Sequence, residues 1–246
     1  TLGRMFHDLL EDWARAVFWW RISAKYGQYV DPIDLAHCYW KLGCREMAVE
    51  MLSHVSHDYT RHGALIKLWA DMGQVDKALK LAEQKAAAGM PTVAYLAAGD
   101  ACRLAGRYEE ALAYYRRSYD GKDAQGREGD VAKGKERALA SIGAIRLFDA
   151  LDVARVADGT YTASSIAYAG PLYVEVTVKD GRIQSVRVTS HEEKQFYSAL
   201  TDTPNQIIAK QGVKGVDAVT GATMTSEAIL NATAKALAEG MKAAGR

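Results

Sequence analysis

From Thr1 to about Ala157 the apolar residues recur at three- and four-residue spacing, the period of amphipathic helices, and strand-like alternation is scarce. From Asp158 the pattern changes. Gly159-Thr160-Tyr161-Thr162 opens a new region, in which Leu172, Val174, Val176 and Val178 alternate strictly and mark one face of a strand. Lys179-Asp180-Gly181 turns the chain into a second run, Arg182–Val188. A loop of only Asp180-Gly181 would set Val174 against Arg187 and Val176 against Ser185. A three-residue loop, Lys179 to Gly181, pairs Leu172 with Val188 and Val174 with Val186. Because a one-residue slip exchanges the faces, the apolar pattern favours the longer loop, with Gly181 left-handed. After a mixed segment, a last helix is expected from about Ser226 to Lys242, with Leu230, Leu237 and Met241 along one stripe. The pattern predicts a multidomain chain, an all-α array over residues 1–157 followed by a small α+β domain over residues 158–246.

The helical patterns repeat. Ala36, Tyr39, Gly43, Ala48 and Leu52 superimpose on Ile66, Trp69, Gly73, Ala78 and Ala82, and on Gly99, Cys102, Gly106, Ala111 and Tyr115, with identical offsets. This reads as a helix–turn–helix repeat with a small residue where two helices cross closely. The unit Tyr95 to Ser118 resembles a tetratricopeptide repeat, with Gly99, Gly106, Tyr108, Ala111 and Tyr115 at that family's small and aromatic positions; the other two units are degenerate. The units start 30 and then 33 residues apart, against about 34 in that family. Helices around Arg4–Tyr26 and from about Asp130 to Ala154 are expected to cap the array, the second after a loop from Asp120 to Gly129. By repeat logic a fragment starting near Ala157 is expected to fold alone. The array's aromatic residues, including Trp13, Trp19, Trp20, Trp40 and Trp69, read first as inter-helix core and second as a ligand face.

Length and composition fit this division. The 246 residues suffice for two ordinary domains, and 49% hydrophobic with 25% charged residues is the balance of a folded soluble protein. A net charge of +1 gives no reason to expect nucleic acid or another polyanion. No stretch approaches the roughly 20 apolar residues of a membrane span; the run Ala14 to Trp20 is broken by Arg15 and reads as a buried helix. The chain begins at Thr1 rather than Met, as a mature or trimmed product does, and a lost signal peptide or anchor is compatible with that. Cys38, Cys44 and Cys102 form no CxxC pair, fall in expected helices and read as small buried hydrophobes. Six scattered histidines offer no metal-ligand spacing.

The chemistry lies in Asp217-Ala218-Val219-Thr220-Gly221-Ala222-Thr223. Thr220, Gly221 and Ala222 are small enough for the backbone to approach a ligand, and they bring the Thr223 hydroxyl to a helix start. Helix N-termini offer unpaired N–H groups and partial positive charge, which suit a phosphate. Alone, Thr223 reads more readily as a capping hydroxyl, although Thr225 and Ser226 offer that cap instead. Asp217 alone reads as a solvated turn carboxylate.

The run resembles the flavinylation motif of FMN-binding domains, Asp-x-x-(Ser/Thr)-Gly-Ala-(Thr/Ser), at every defined position. The resemblance covers about Gly159 to Ala238, including Gly159-Thr160-Tyr161, Tyr168-Ala169-Gly170-Pro171-Leu172, the hairpin and the terminal motif. It implies FMN joined by a phosphoester to Thr223, with Thr220, Gly221, Ala222, Thr225 and Ser226 beside it. It also implies that Asp217 is part of the signal read by a flavin transferase, an enzyme that uses FAD and a divalent metal. Where many relatives carry His-x-Glu-Thr and glycines, this chain has His191-Glu192-Glu193-Lys194-Gln195-Phe196-Tyr197, so no flavin contact is carried over there.

Three functions follow as expectations. The first is a flavoprotein electron carrier, similar to the C subunit of the sodium-pumping NADH:quinone reductase, with the helical repeats docking a redox partner. The second is a repeat-based interaction scaffold whose C-terminal domain serves as an anchor or redox sensor. The third is reversible FMN binding without the ester. No catalytic acid, base or substrate pocket is named by the sequence, so the chain reads as a transfer module rather than a complete enzyme. The resemblance places it at the periplasmic or extracytoplasmic face of a bacterial membrane. Unpaired cysteines argue mildly the other way.

Overall fold

The computed structural model describes residues 2–56, 62–124, 128–216, 218–219 and 222–245. Among these, every strand lies after residue 158 and the region before it is helical. Three helix pairs succeed one another: α3 (Pro32–Lys41) with α4 (Arg45–Ser53), α5 (His62–Asp71) with α6 (Val75–Ala87), and α7 (Pro91–Leu104) with α8 (Tyr108–Asp120). The repeated offsets have a hydrogen-bond explanation. In each pair a glycine at Gly43, Gly73 or Gly106 takes a left-handed φ of 83°, 73° or 72°. The next residue's N–H then reaches back to the carbonyl of Tyr39, Trp69 or Cys102, at 2.9, 2.8 and 2.8 Å. This is a Schellman close of the first helix, and it needs a residue that tolerates positive φ. Ala48, Ala78 and Ala111, fully buried, then let the second helix cross closely. At Gly99 an added Cβ would lie 2.5 Å from the Tyr115 ring.

The flanking helices differ from expectation. The stretch Arg4–Tyr26 is two helices, α1 (Leu2–Asp8) and α2 (Trp13–Lys25), because Glu11 takes a φ of 49° and Asp12 caps α2 by accepting from the Arg15 N–H. α9 (Glu128–Phe148) ends before Ala154; Asp152 then caps a short 3-10 turn, Val153–Arg155. Cys44 is exposed in the α3–α4 turn rather than buried in a helix, whereas Cys38 and Cys102 are buried as expected. Burial pushes the Cys38 thiol up to about 12 and the Cys102 thiol to about 11.

The C-terminal part is an antiparallel meander, β1 (Gly159–Ile166), β2 (Pro171–Lys179) and β3 (Arg182–Ser190), with α10 (Ala199–Lys210) and α11 (Thr223–Ala244). The hairpin register corrects the sequence expectation. Lys179 pairs with Arg182, so the loop is the two residues Asp180-Gly181, with φ of 53° and 68°. A bulge at Gln184 shifts the pairing by one, and Val176 then faces Val186 and Val174 faces Val188. The extra residue restores the apolar face that the short loop alone would lose. The structure combines the tight turn with valine pairs other than those expected, Val174 meeting Val188 rather than Val186, and Gly181 is left-handed as expected.

α11 starts at Thr223, three residues earlier than the stripe suggested, and is buried nearly all round. β1 and β2 lie on one side and α9 on another. One core therefore crosses residue 157: Cys102, Leu112, Tyr115, Ile145 and Phe148 join Leu172, Val174, Val176, Ile229 and Leu237. The change of pattern at residue 158 marks a change of architecture without a gap in the packing, so the independence expected from repeat logic is not what this core provides.

Candidate functional site

Thr223 is the first residue of α11, and Ala222 precedes it as an N-cap residue with no side-chain capping bond. The two alternative caps are committed elsewhere. The Thr225 hydroxyl donates to Glu193 Oε2 at 3.0 Å. Ser226 Oγ accepts from the Val219 N–H at 3.0 Å and from the Thr203 hydroxyl at 3.1 Å. These bonds pin the strand-side entry of the helix to α10 and to the preceding loop. The Thr223 hydroxyl makes no hydrogen bond among the described residues, although the residue is only 5% exposed. Asp217, Thr220 and Gly221 lie outside the described residues.

Thr223 borders a cavity of about 520 Å³, within the range of about 300–1,000 Å³ usual for small-molecule sites. One side is the entry of α11 with Tyr168, Glu193, Gln195 and Phe196. The other is the helical array: His7 and Asp8 from α1, Asp34 and His37 from α3, Ala64 and Lys67 from α5, Val93, Ala97 and Asp100 from α7, and Arg137 from α9. The first helices of the three pairs thus face the C-terminal unit of their own chain.

Two charged groups frame the cavity. Asp100 is buried. It pairs with Lys67 at 2.9 Å and Arg137 at 3.4 Å and accepts from the Tyr115 hydroxyl at 2.9 Å. Burial raises its carboxyl, but Lys67 and Arg137 more than reverse this and hold it down to about 2. Arg137 also lies 3.6 Å from Glu227 on α11. Burial, then the charge of Asp100, pushes the Glu227 carboxyl up to about 7. At the far end Asp8 Oδ1 lies 2.6 Å from His7 Nδ1, and His7 Nε2 lies 2.9 Å from His37 Nδ1. Trp13, Trp20 and Phe196 pack around His7 with ring centroids 5.2 to 5.6 Å away.

The run 191–197, which departs from the family pattern, forms one of the seams between the two parts. The Phe196 N–H donates to the Asp8 carbonyl at 2.7 Å, and Ser198 donates twice to the Glu11 carboxylate, at 3.0 and 2.7 Å. Phe196 packs with Ala222 and Trp13. Glu193 also accepts from the Ala169 N–H at 3.0 Å, tying the start of the hairpin to α11. Sequence reasoning gave no site role to Lys67, Arg137, Glu193 or Phe196. The one available signal was that 191–197 breaks the family pattern.

An FMN phosphate on Thr223 would sit at the uncapped N-terminus of a 22-residue helix, where free N–H groups favour an anion. The cavity beside it has aromatic and small apolar walls, with Lys67 and Arg137 paired to Asp100 at one end and Asp8, Asp34, Asp71 and Glu193 also on its lining. The residues present fit the group.

Residues 167–238 match the family model of the FMN-binding domain. A protein of Treponema pallidum (strain Nichols), described as uncharacterized, is 38% identical over 86 residues, 34% of this chain and 24% of that protein. The chain thus spans about a quarter of the length of the curated relative it matches. No solved structure matches it. Among the described residues no helix is long and apolar enough to cross a membrane.

Proposed function

We propose that this chain is a flavoprotein electron carrier whose FMN is joined through a phosphoester to the Thr223 hydroxyl. The FMN-binding domain match supports a flavin-binding carrier. The observation that carries the finer reading is the state of Thr223: a hydroxyl with no hydrogen bond among the described residues, at a helix start without a side-chain cap, bordering a ligand-sized cavity. The flavin, when bound, supplies the redox chemistry, and the protein supplies attachment and surroundings. Thr223 would hold the phosphate and the α11 N–H groups would bind its oxygens. Ser226 and Thr225, through Val219, Thr203 and Glu193, fix the helix entry. Asp217, with Thr220 and Gly221, would be read by a flavin transferase before the ester forms. By family resemblance the site of action is the periplasmic or extracytoplasmic side of a bacterial membrane.

The array's role changes in this reading. The first helices of the three pairs are turned to the chain's own C-terminal unit, so a redox partner docked by the array would meet another of its surfaces.

Intact mass after coexpression with a flavin transferase tests the proposal. Wild type and Thr225→Ala should carry the added FMN mass, and Thr223→Ala should not, with its helical circular dichroism unchanged. Flavin retained by Thr223→Ala and lost by Thr225→Ala would move the site; flavin that dialyses away from wild type would leave only reversible binding.

A further inference from the structure

Resting on attachment at Thr223, we propose that the helical array is the second half of the flavin site: the inner faces of α5 and α7 hold the tricyclic ring. An ester fixes only the phosphate end of FMN. The ring, flat and mostly apolar with one polar edge, needs a slot of its own. The domain side offers Tyr168 and Phe196, and the opposite wall comes entirely from the array.

That wall has the right character. Ala64, Val93 and Ala97 present small apolar side chains to the cavity, and a Cβ added at Gly63 would meet nothing nearer than Val93 Cγ1 at 3.8 Å. At one end of the wall stand Lys67 and Arg137, two cations held by Asp100 and able to face a polar ring edge. The array that carries the wall is joined to the C-terminal part at two seams. Phe196 and Ser198 bond to Asp8 and Glu11 at one seam, and Arg103 bonds to Asn231 at 2.8 Å at the other. The cavity is thus a built gap between two parts that are otherwise closely joined, and its volume suits one bound small molecule.

The test uses the full chain loaded by a flavin transferase. Ala64→Phe and Val93→Phe each place a ring in the slot from a different helix. The readouts are intact mass, far-ultraviolet circular dichroism, and quenching of flavin fluorescence by iodide. In wild type the flavin should be protected from iodide. Each variant should keep its helical signal and show either severalfold stronger quenching with the FMN mass retained, or failure to take up FMN. Retained mass with quenching equal to wild type in both variants overturns the inference while leaving attachment intact. Strong quenching already in wild type overturns it as well. A wild type without FMN mass removes the attachment reading, and this inference with it. If one variant unfolds, the other decides.

Discussion

The joint between Arg103 and Asn231 offers a sharp test of how the two parts hold together. Arg103 lies on α7 and Asn231 on α11; the two are 6% and 3% exposed. Arg103 Nη1 donates to Asn231 Oδ1 at 2.8 Å, the guanidinium lies 5.2 Å over the Phe148 ring, and its Nη2 is already buried without a hydrogen-bond partner. Asn231→Leu removes the acceptor and leaves the cation buried. Hydrogen bonds to charged groups contribute about 1.5–3 kcal/mol, and a stranded buried donor adds its desolvation cost. With a urea slope of about 2–3 kcal/mol per M, a loss of about 2 kcal/mol moves the midpoint by about 1 M. Adding Arg103→Met removes the stranded charge, so the double variant should lose less than the sum of the two singles. The assay has a built-in reporter. All five tryptophans, Trp13, Trp19, Trp20, Trp40 and Trp69, lie in the array. Trp13 also touches Phe196 at the seam, but the other four report the array, and the change at Asn231 is in the other part. A tryptophan transition that stays put in Asn231→Leu, or two separate transitions in wild type, would refute the shared core.

Two further outcomes are expected. Because the folded pKa of Glu227 is raised from 4.5 to about 7, the folded chain binds a proton there that the unfolded chain has released. The stability from Glu227 is therefore fully present below about pH 4.5 and is lost as pH rises through 7. Asp100, held down, acts oppositely and loses its contribution as pH falls from about 4 towards 2. Glu227→Gln should flatten the decline in urea midpoint between pH 5 and pH 8, and a decline equal to that of wild type would reject the assignment. Separately, folded chain without flavin, given the transferase late, should gain FMN mass more slowly than Asn231→Leu treated alike, since weakening the joint uncovers Thr223 more often; equal time courses would exclude this.

What the sequence revealed follows from how local each feature is. The three helix turns were readable because each glycine, carbonyl acceptor and crossing alanine falls within a dozen residues. The stretch Asp217 to Thr223 could be singled out for the same reason, since it is contiguous in the chain. The hairpin was misjudged because the change of phase from Ile183 to Val186 and Val188, which the bulge at Gln184 leaves in the sequence, was read as a longer loop. The break between α1 and α2 depends on a left-handed Glu11, a residue that seldom signals one. The stripe on α11 understated its burial because the packing of α9 on its other side is tertiary. Glu193, Phe196 and Lys67 were out of reach, since their roles depend on partners far along the chain; Glu11 and Ser198 are separated by 187 positions.

Thr223 is 5% exposed beneath the array's inner face. An enzyme can join a cofactor only to a hydroxyl it can touch, so if FMN is joined at Thr223 as proposed, modification and closure would compete for the same chain. A molecule that closed first would stay colourless until it opened again. The fraction carrying flavin would then be a record of each molecule's history, set by how long the chain lingered open while the transferase was near, and two preparations of identical sequence and fold could differ in colour for that reason alone.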